Sequence, residues 1–338
     1  MARMSVLLAL PVARVLFSRG HSPEPLYQEL ELQEERMTHP DHYIEAGQFD
    51  RFLERAAQLC QDPHFGLRLG SGYSLDNLGL IGYILLNSST LNQAFANFQR
   101  YNVLLCSGVV YDLQKVNGEA RFSFWVSDPS RRPTYHLMES ILASAYVIFQ
   151  RLTGDRAKLK SVSFTHEPSP GMQPYADLFS VEPAFRQMDN MLVFDADALE
   201  LPVLYRNEHL LQLVENHAIQ TIRALKLEQT FSETVSLAII RKFDGTIPRI
   251  QDIARSLGFS VRSMQLQLSK DHTTFKDLVA AIRKNMAESY LKNPSFSVTD
   301  ISYALGFSDP ASFRLAFKKW TGQTPGEFRK LHTDSGKG

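Results

Sequence analysis

The nine residues from Asp252 to Ser260 return 48 positions later as Asp300 to Ser308, identical at Asp, Ile, Leu, Gly, Phe and Ser. One small structural unit is used twice. In each copy Ile253 and Leu257, or Ile301 and Leu305, stand at helical spacing and a glycine follows. Glycine adopts the left-handed C′ conformation without strain and so stops a helix there. Two residues on, Ser260 or Ser308 is read as the N-cap of a second helix, Val261 to about Lys270 or Asp309 to about Trp320. Helix, glycine turn and capped helix together make the helix-turn-helix signature. The competing reading is an all-α bundle with an accidental echo.

Between the two copies, Phe275, Leu278, Val279, Ile282, Met286 and Tyr290 recur at spacings of three and four, which predicts one helix from Thr274 to Leu291. At 1.5 Å per residue such a helix runs about 27 Å. A rod of that order holds two recognition helices roughly one DNA turn apart, about 34 Å, so that both enter successive major-groove segments on one face of a duplex. Ser297 and Asp300 form a capping-box pattern, and Pro310 occupies a first turn where no N–H is needed. A glycine stop at Gly322 and a Thr324-Pro325 start introduce a last short helix around Glu327 to Leu331.

Ile301 to Arg329, with Leu305-Gly306-Phe307-Ser308, Phe313, Ala316 to Gly322 and Pro325, resembles the C-terminal domain of AraC/XylS-family transcription regulators. The resemblance covers about the last hundred residues and implies seven helices, with two helix-turn-helix units joined by a long central helix. It implies double-stranded promoter DNA and RNA polymerase as partners. Relatives commonly place an arginine inside each recognition helix where this chain has Leu266 and Leu315. An arginine fork bonds guanine O6 and N7 together, a contact worth about 1–3 kcal/mol of base discrimination, whereas leucine meets only a thymine methyl. Gln265, Gln267 and Arg314 remain as candidate base readers, with Arg262, Lys318 and Lys319 as candidate phosphate contacts. The expectation is altered or A·T-leaning specificity. A protein-interaction module of the same fold with weakened DNA binding is the alternative.

The neutral total of 36 basic and 36 acidic residues hides an asymmetry: residues 233–338 carry 16 Lys and Arg against 10 Asp and Glu, and the rest carry 20 against 26. A basic C-terminal segment suits phosphate binding, since each neutralised phosphate releases counterions.

Two domains are expected from 338 residues with 44% hydrophobic content. Helical periodicity marks Phe52 to Leu59 and Leu91 to about Leu105. The period then falls to two, with Ala120, Phe122, Phe124 and Val126 on one face and Asn117-Gly118 turning the chain from a preceding strand, Val109 to Val116. A helix from about Thr134 to Leu152 and strands at Ser161 to Thr165 and Met191 to Phe194 make the region α+β. Phe65 to Gly70, Leu78 to Tyr83, Thr90 to Ala94 and Arg100-Tyr101 are similar to the N-terminal sensor domain of the subfamily that includes the ornithine-utilisation regulator. This implies a sensor of a small molecule rather than a cupin-type sugar pocket. Tyr83, Tyr101, Trp125, His136 and Glu139 are candidate effector contacts, as aromatic walls with a few polar groups; packing roles compete for each.

The expected architecture is therefore an α+β N-terminal sensor domain (1–205), a helical linker (206–232) and an all-α domain with two helix-turn-helix units joined by a long central helix (233–338). An apolar stripe on the linker, including Leu210 and Leu213, suggests either a homodimer contact or packing on the sensor domain. Cys60 and Cys106 have no metal-like spacing, which points to a reducing cytoplasm, with no disulfide framework and no cofactor. The apolar opening from Met1 to Phe17 superficially resembles a signal peptide, but Arg14 and the absence of a cleavage site favour a first amphipathic helix. No stretch is long and apolar enough to span a membrane. Nucleophile elbow, metal cluster and phosphate-binding glycine loop are all missing from the sequence, and Gly66, Gly70 and Gly72 do not fit the dinucleotide fingerprint, so no enzyme is indicated.

Overall fold

Asn117 and Gly118 both take positive φ, 51° and 79°. That pair of left-handed residues makes the tight turn whose twist matches two antiparallel strands, here β3 (Val109–Val116) and β4 (Glu119–Val126), with Val116 opposite Glu119 and Val109 opposite Val126. The computed structural model describes residues 2–37, 42–126, 133–225, 231–243 and 245–333, and the chain divides into two units, Met1–Glu228 and Gln229–Gly338.

In the first unit a two-stranded sheet, β1 (Arg3–Ser5) and β2 (Tyr43–Glu45), flanks α1 (Val6–Ser18), α2 (Glu24–Glu29) and α3 (Glu34–Met37). The apolar opening is thus a strand followed by a helix, with Val6, Val12 and Leu16 fully buried. There follow α4 (Ala46–Cys60), α5 (Phe65–Ser71), α6 (Leu80–Asn87) and α7 (Leu91–Tyr101), then the hairpin, α8 (Tyr135–Thr153), β5 (Leu159–Ser163), α9 (Gln173–Phe179), β6 (Met191–Asp195) and α10 (Glu208–Ala224). Strand order is β3-β4-β6-β5, antiparallel throughout. The period-two face of β4 meets α8: Phe122 and Phe194 each lie 5.6 Å from the Phe149 ring.

Helices α5 and α8 approach closely because Gly66 and Gly70, one helical turn apart, present no side chain to α8. A Cβ on Gly66 would collide with the His136 carbonyl, and one on Gly70 would stand 2.5 Å from the Ser140 carbonyl. Helix α10, expected as part of a linker, packs on α6 within the first unit, burying Leu211 and Ala218. Leu210 and Leu213 on its other side are exposed.

The second unit has seven helices among the described residues: α11 (Phe231–Lys242), α12 (Ile250–Ser256), α13 (Val261–Lys270), α14 (Phe275–Leu291), α15 (Val298–Ala304), α16 (Pro310–Thr321) and α17 (Pro325–Thr333). Gly258 and Gly306 take the left-handed conformation at the two turns, with φ of 74° and 70°. Capping boxes open three of the helices, Thr274 with Asp277, Ser297 with Asp300 and Thr324 with Glu327. The second recognition helix starts one residue later than the sequence predicts. The cap of α16 is Asp309, whose Oδ1 accepts the Ser312 N–H at 2.8 Å, and not Ser308, because Pro310 sets the first helical residue one position later.

Candidate nucleic-acid interface and sensor cavity

That shift of one residue brings the two recognition helices into register. Counted from Ser260 and Asp309, the fourth and eighth residues are the buried pairs Met264 and Phe313, Leu268 and Phe317. The opposite faces then correspond as Arg262, Gln265, Leu266 and Ser269 in α13 with Ala311, Arg314, Leu315 and Lys318 in α16, all exposed. Leu266 and Leu315 occupy the same place and are 63% and 75% exposed, far outside the range of core leucine. Lys319 corresponds to Lys270, a residue the sequence reading did not single out; the N-cap register was the signal that finds it. Gln267 lies half-buried on the flank of α13.

Arg283 on α14 was also missed. Its Nε donates to the Leu305 carbonyl at 2.9 Å, its Nη2 to the Gly306 carbonyl at 2.7 Å, and its guanidinium lies 4.3 Å from the Phe307 ring centre. The central helix thereby holds the glycine turn of the second helix-turn-helix unit by charge-assisted hydrogen bonds and a cation–π contact. Arg329 of α17 does similar work, donating to the carbonyls of Leu291 and Phe296.

In the first unit the structure does not gather the five expected effector contacts. Tyr83 points outward from α6, 57% exposed. Tyr101 is buried and donates to Glu215 of α10 at 3.1 Å; burial and then that carboxylate push it up to about 12. Trp125 lies on the face of β4 away from Phe122 and Phe124. His136 and Glu139 belong to a buried cluster of polar side chains that includes His64, His166 and Tyr175. The Tyr175 hydroxyl donates to Glu139 Oε1, which His166 Nε2 approaches at 3.7 Å, and His136 Nδ1 accepts the Gly66 N–H at 3.3 Å. Burial raises Glu139 to about 7, against the opposing pull of the Tyr175 hydrogen bond, and lowers both His136 and His166 to about 4. At neutral pH the two histidines are uncharged, so the Glu139–His166 approach is not an ion pair. Among the described residues no group of three His, Cys, Asp or Glu is arranged to hold a metal.

A cavity of about 110 Å³ lies elsewhere, between the hairpin and the opposite side of α8, and none of the five residues lines it. Phe95, Phe98, Tyr111, Phe122 and Phe149 form its aromatic walls. The signal for it was present in the sequence: Leu137, Ile141 and Ile148 form a second stripe on α8, and Phe122 lies on the alternating face of β4.

Two glycine-turned helix pairs on a central helix, each with an exposed recognition face, define a DNA-binding protein. The profile described as the arabinose-binding domain of AraC transcription regulator, N-terminal, matches residues 20–203, and a helix-turn-helix domain profile matches 253–331. The chain belongs to the AraC family of transcription regulators. It is 28% identical over 313 residues to the ornithine utilization regulator of Pseudomonas aeruginosa, covering 92% of this chain and 91% of that one. It is 22% identical to the HTH-type transcriptional regulator VirS of Mycobacterium tuberculosis over 94% of both chains. The crystal structure of the transcriptional regulator CdpR from Pseudomonas aeruginosa aligns with a TM-score of 0.44 at 19% identity, covering 91% of this chain and 97% of that one. The family and these relatives are transcription regulators, not enzymes. Among the described residues no helix is long and apolar enough to cross a membrane.

Proposed function

We propose that this regulator is a cytoplasmic homodimer that activates transcription by engaging promoter DNA and RNA polymerase, and that a small molecule held by the first unit controls it. The observation that carries the DNA-reading half is the shared register of the recognition helices, which offers a groove one apolar residue at the same place in each. Gln265 and Arg314, adjacent to Leu266 and Leu315, are the base readers, with Gln267 at the edge; Arg262, Lys270, Lys318 and Lys319 meet phosphates. The leucines pack on thymine methyls, so the operator is A·T-rich at those positions. Exposed Leu210 and Leu213 on α10 support a dimer contact.

Titration of the full chain against DNA from upstream of its own gene and against scrambled DNA, at two salt concentrations, tests this. Preference for the upstream DNA that Arg314→Ala diminishes is the expected outcome. The exposed leucines also suit an interaction module that has given up DNA; total absence of salt-sensitive DNA association would favour that reading. Loss of RNA polymerase recruitment with intact promoter binding would turn the activator into a repressor acting by occlusion.

A further inference from the structure

The cavity between the hairpin and α8 has no charged side chain in its wall. Most of its polar groups have partners within the protein. The Tyr73 hydroxyl donates to the Leu8 carbonyl at 2.8 Å, Ser140 Oγ to Leu137 at 3.0 Å and Ser144 Oγ to Ile141 at 3.0 Å. The Cys106 thiol donates to Asn102 Oδ1 at 3.4 Å and lies 3.8 Å from the Tyr111 hydroxyl. An ion entering this space would leave water without a counter-charge, at a cost that a cavity of this size has no means to offset. An amino acid or a carboxylate is therefore a poor occupant, and a sugar would leave most of its hydroxyls unpaired. An apolar molecule gives up no hydrogen bonds on entry and fills a void in a core otherwise close-packed. An apolar cavity of about 150 Å³ accommodates benzene, so the 110 Å³ here fits a single ring or a short chain with slight repacking of its walls.

The walls also touch the helix that ends the first unit. Leu85 of α6 faces the cavity while α6 carries α10 on another side, and α7, which supplies Phe95 and Phe98, ends at Tyr101 with its hydrogen bond to Glu215 of α10. Occupancy has a short mechanical route to α10.

We propose that this cavity is the effector site and that its ligand is an uncharged, predominantly apolar small molecule, a single ring or short chain bearing at most one hydroxyl placed beside Asn102, Cys106 and Tyr111. The assignment rests on the effector-controlled reading above and names the chemistry of that effector. Binding acts on DNA affinity only to the extent that the ligand prefers one conformation of the first unit.

The test uses the full chain with phenol and 1-pentanol as neutral probes, and benzoate, benzylamine and lysine as charged ones, read by thermal unfolding and intrinsic fluorescence. Saturable stabilisation by at least one neutral probe, with none from the charged compounds, is expected. Ser144→Leu and Ala94→Val each place extra carbon in the cavity; they should weaken neutral-probe binding at least tenfold while the protein stays folded. Absence of any neutral-probe binding, equal binding of the charged isosteres, or undiminished binding in both folded variants overturns the assignment. DNA titrations separate it from the functional reading. Probe binding in the cavity with unchanged DNA affinity upholds the site and sinks effector control through it, whereas a DNA response to a charged compound that survives Ser144→Leu upholds effector control and sinks the cavity.

Discussion

A leucine six residues after each N-cap is more than half exposed in both recognition helices, and the proposed DNA reading turns on it. Arginine at that place would add a two-pronged donor, so Leu315→Arg should strengthen binding to an operator with guanine opposite that position by about 1–3 kcal/mol, some 5- to 150-fold, relative to the same site with thymine. Fluorescence anisotropy on four operators differing at one base reads the change; identical ratios for wild type and variant would place Leu315 away from the bases. Glu139 supplies a second residue-scale prediction. Its folded value, raised by burial to about 7 from 4.5, means the folded protein keeps a proton that the unfolded chain has released. The associated stability is full below about pH 4.5 and is lost as pH rises through about 7. His136 and His166, lowered to about 4 from 6.5, act oppositely, giving stability that is present above pH 6.5 and lost as pH falls toward 4. Between pH 5 and 8 Glu139→Gln should therefore lose less stability, relative to pH 5, than wild type does, a difference on the order of 3 kcal/mol at most that melting temperatures read. Parallel pH profiles would mean that Glu139 is already ionised in the folded protein.

At the scale of elements, glycines at two kinds of place cost the protein for different reasons when replaced. Gly66→Ala drives a methyl into the His136 carbonyl, and Gly70→Ala sets one 2.5 Å from the Ser140 carbonyl and 2.6 Å from Ala143 Cβ, so α5 must move off α8. Gly118→Ala meets nothing within 4 Å but keeps a φ of 79°. Chemical denaturation should show losses of about 3 kcal/mol or more for either helix glycine and about 1 kcal/mol for the turn; similar small losses at all three sites would mean that α5 and α8 are free to separate. The Phe65 to Gly70 motif was visible in the sequence as a family resemblance, but its physical purpose was not, since a close approach is a property of two helices that one helix's spacing does not contain. Similarly, local signals specified both helix-turn-helix units, because caps and glycine stops act within a few residues. They did not reveal Arg283, whose partners Leu305 and Gly306 lie more than twenty positions away.

For the whole molecule, two kinds of architecture, an α+β unit and an all-α one, are legible in the sequence because period-two and period-3.6 patterns differ plainly in residues such as Phe122-Phe124 and Leu278-Ile282. The sensor contacts were harder. Tyr101 and His136 look like pocket residues by type, and only three-dimensional packing shows them bonded to Glu215 and Gly66 while smaller, less conspicuous groups such as Ser144 and Ala94 border the cavity. Charge was legible from the start and makes the last prediction. Residues 233–338 carry six more basic than acidic groups and the remainder six fewer, so the phosphate contacts of DNA association are expected to come from that segment. Each phosphate contact contributes about 0.9 to the slope of log affinity against log salt. Removing Lys318 and Lys319 together should lower that slope by roughly 2 and weaken upstream and scrambled DNA to a similar degree. Arg314→Ala should instead act mainly on the ratio between them, since a base contact carries sequence information and a phosphate contact does not. If the double lysine variant kept the wild-type slope and lost selectivity, the assignments of α16 would have to be exchanged, with the lysines reading bases and Arg314 anchoring the backbone.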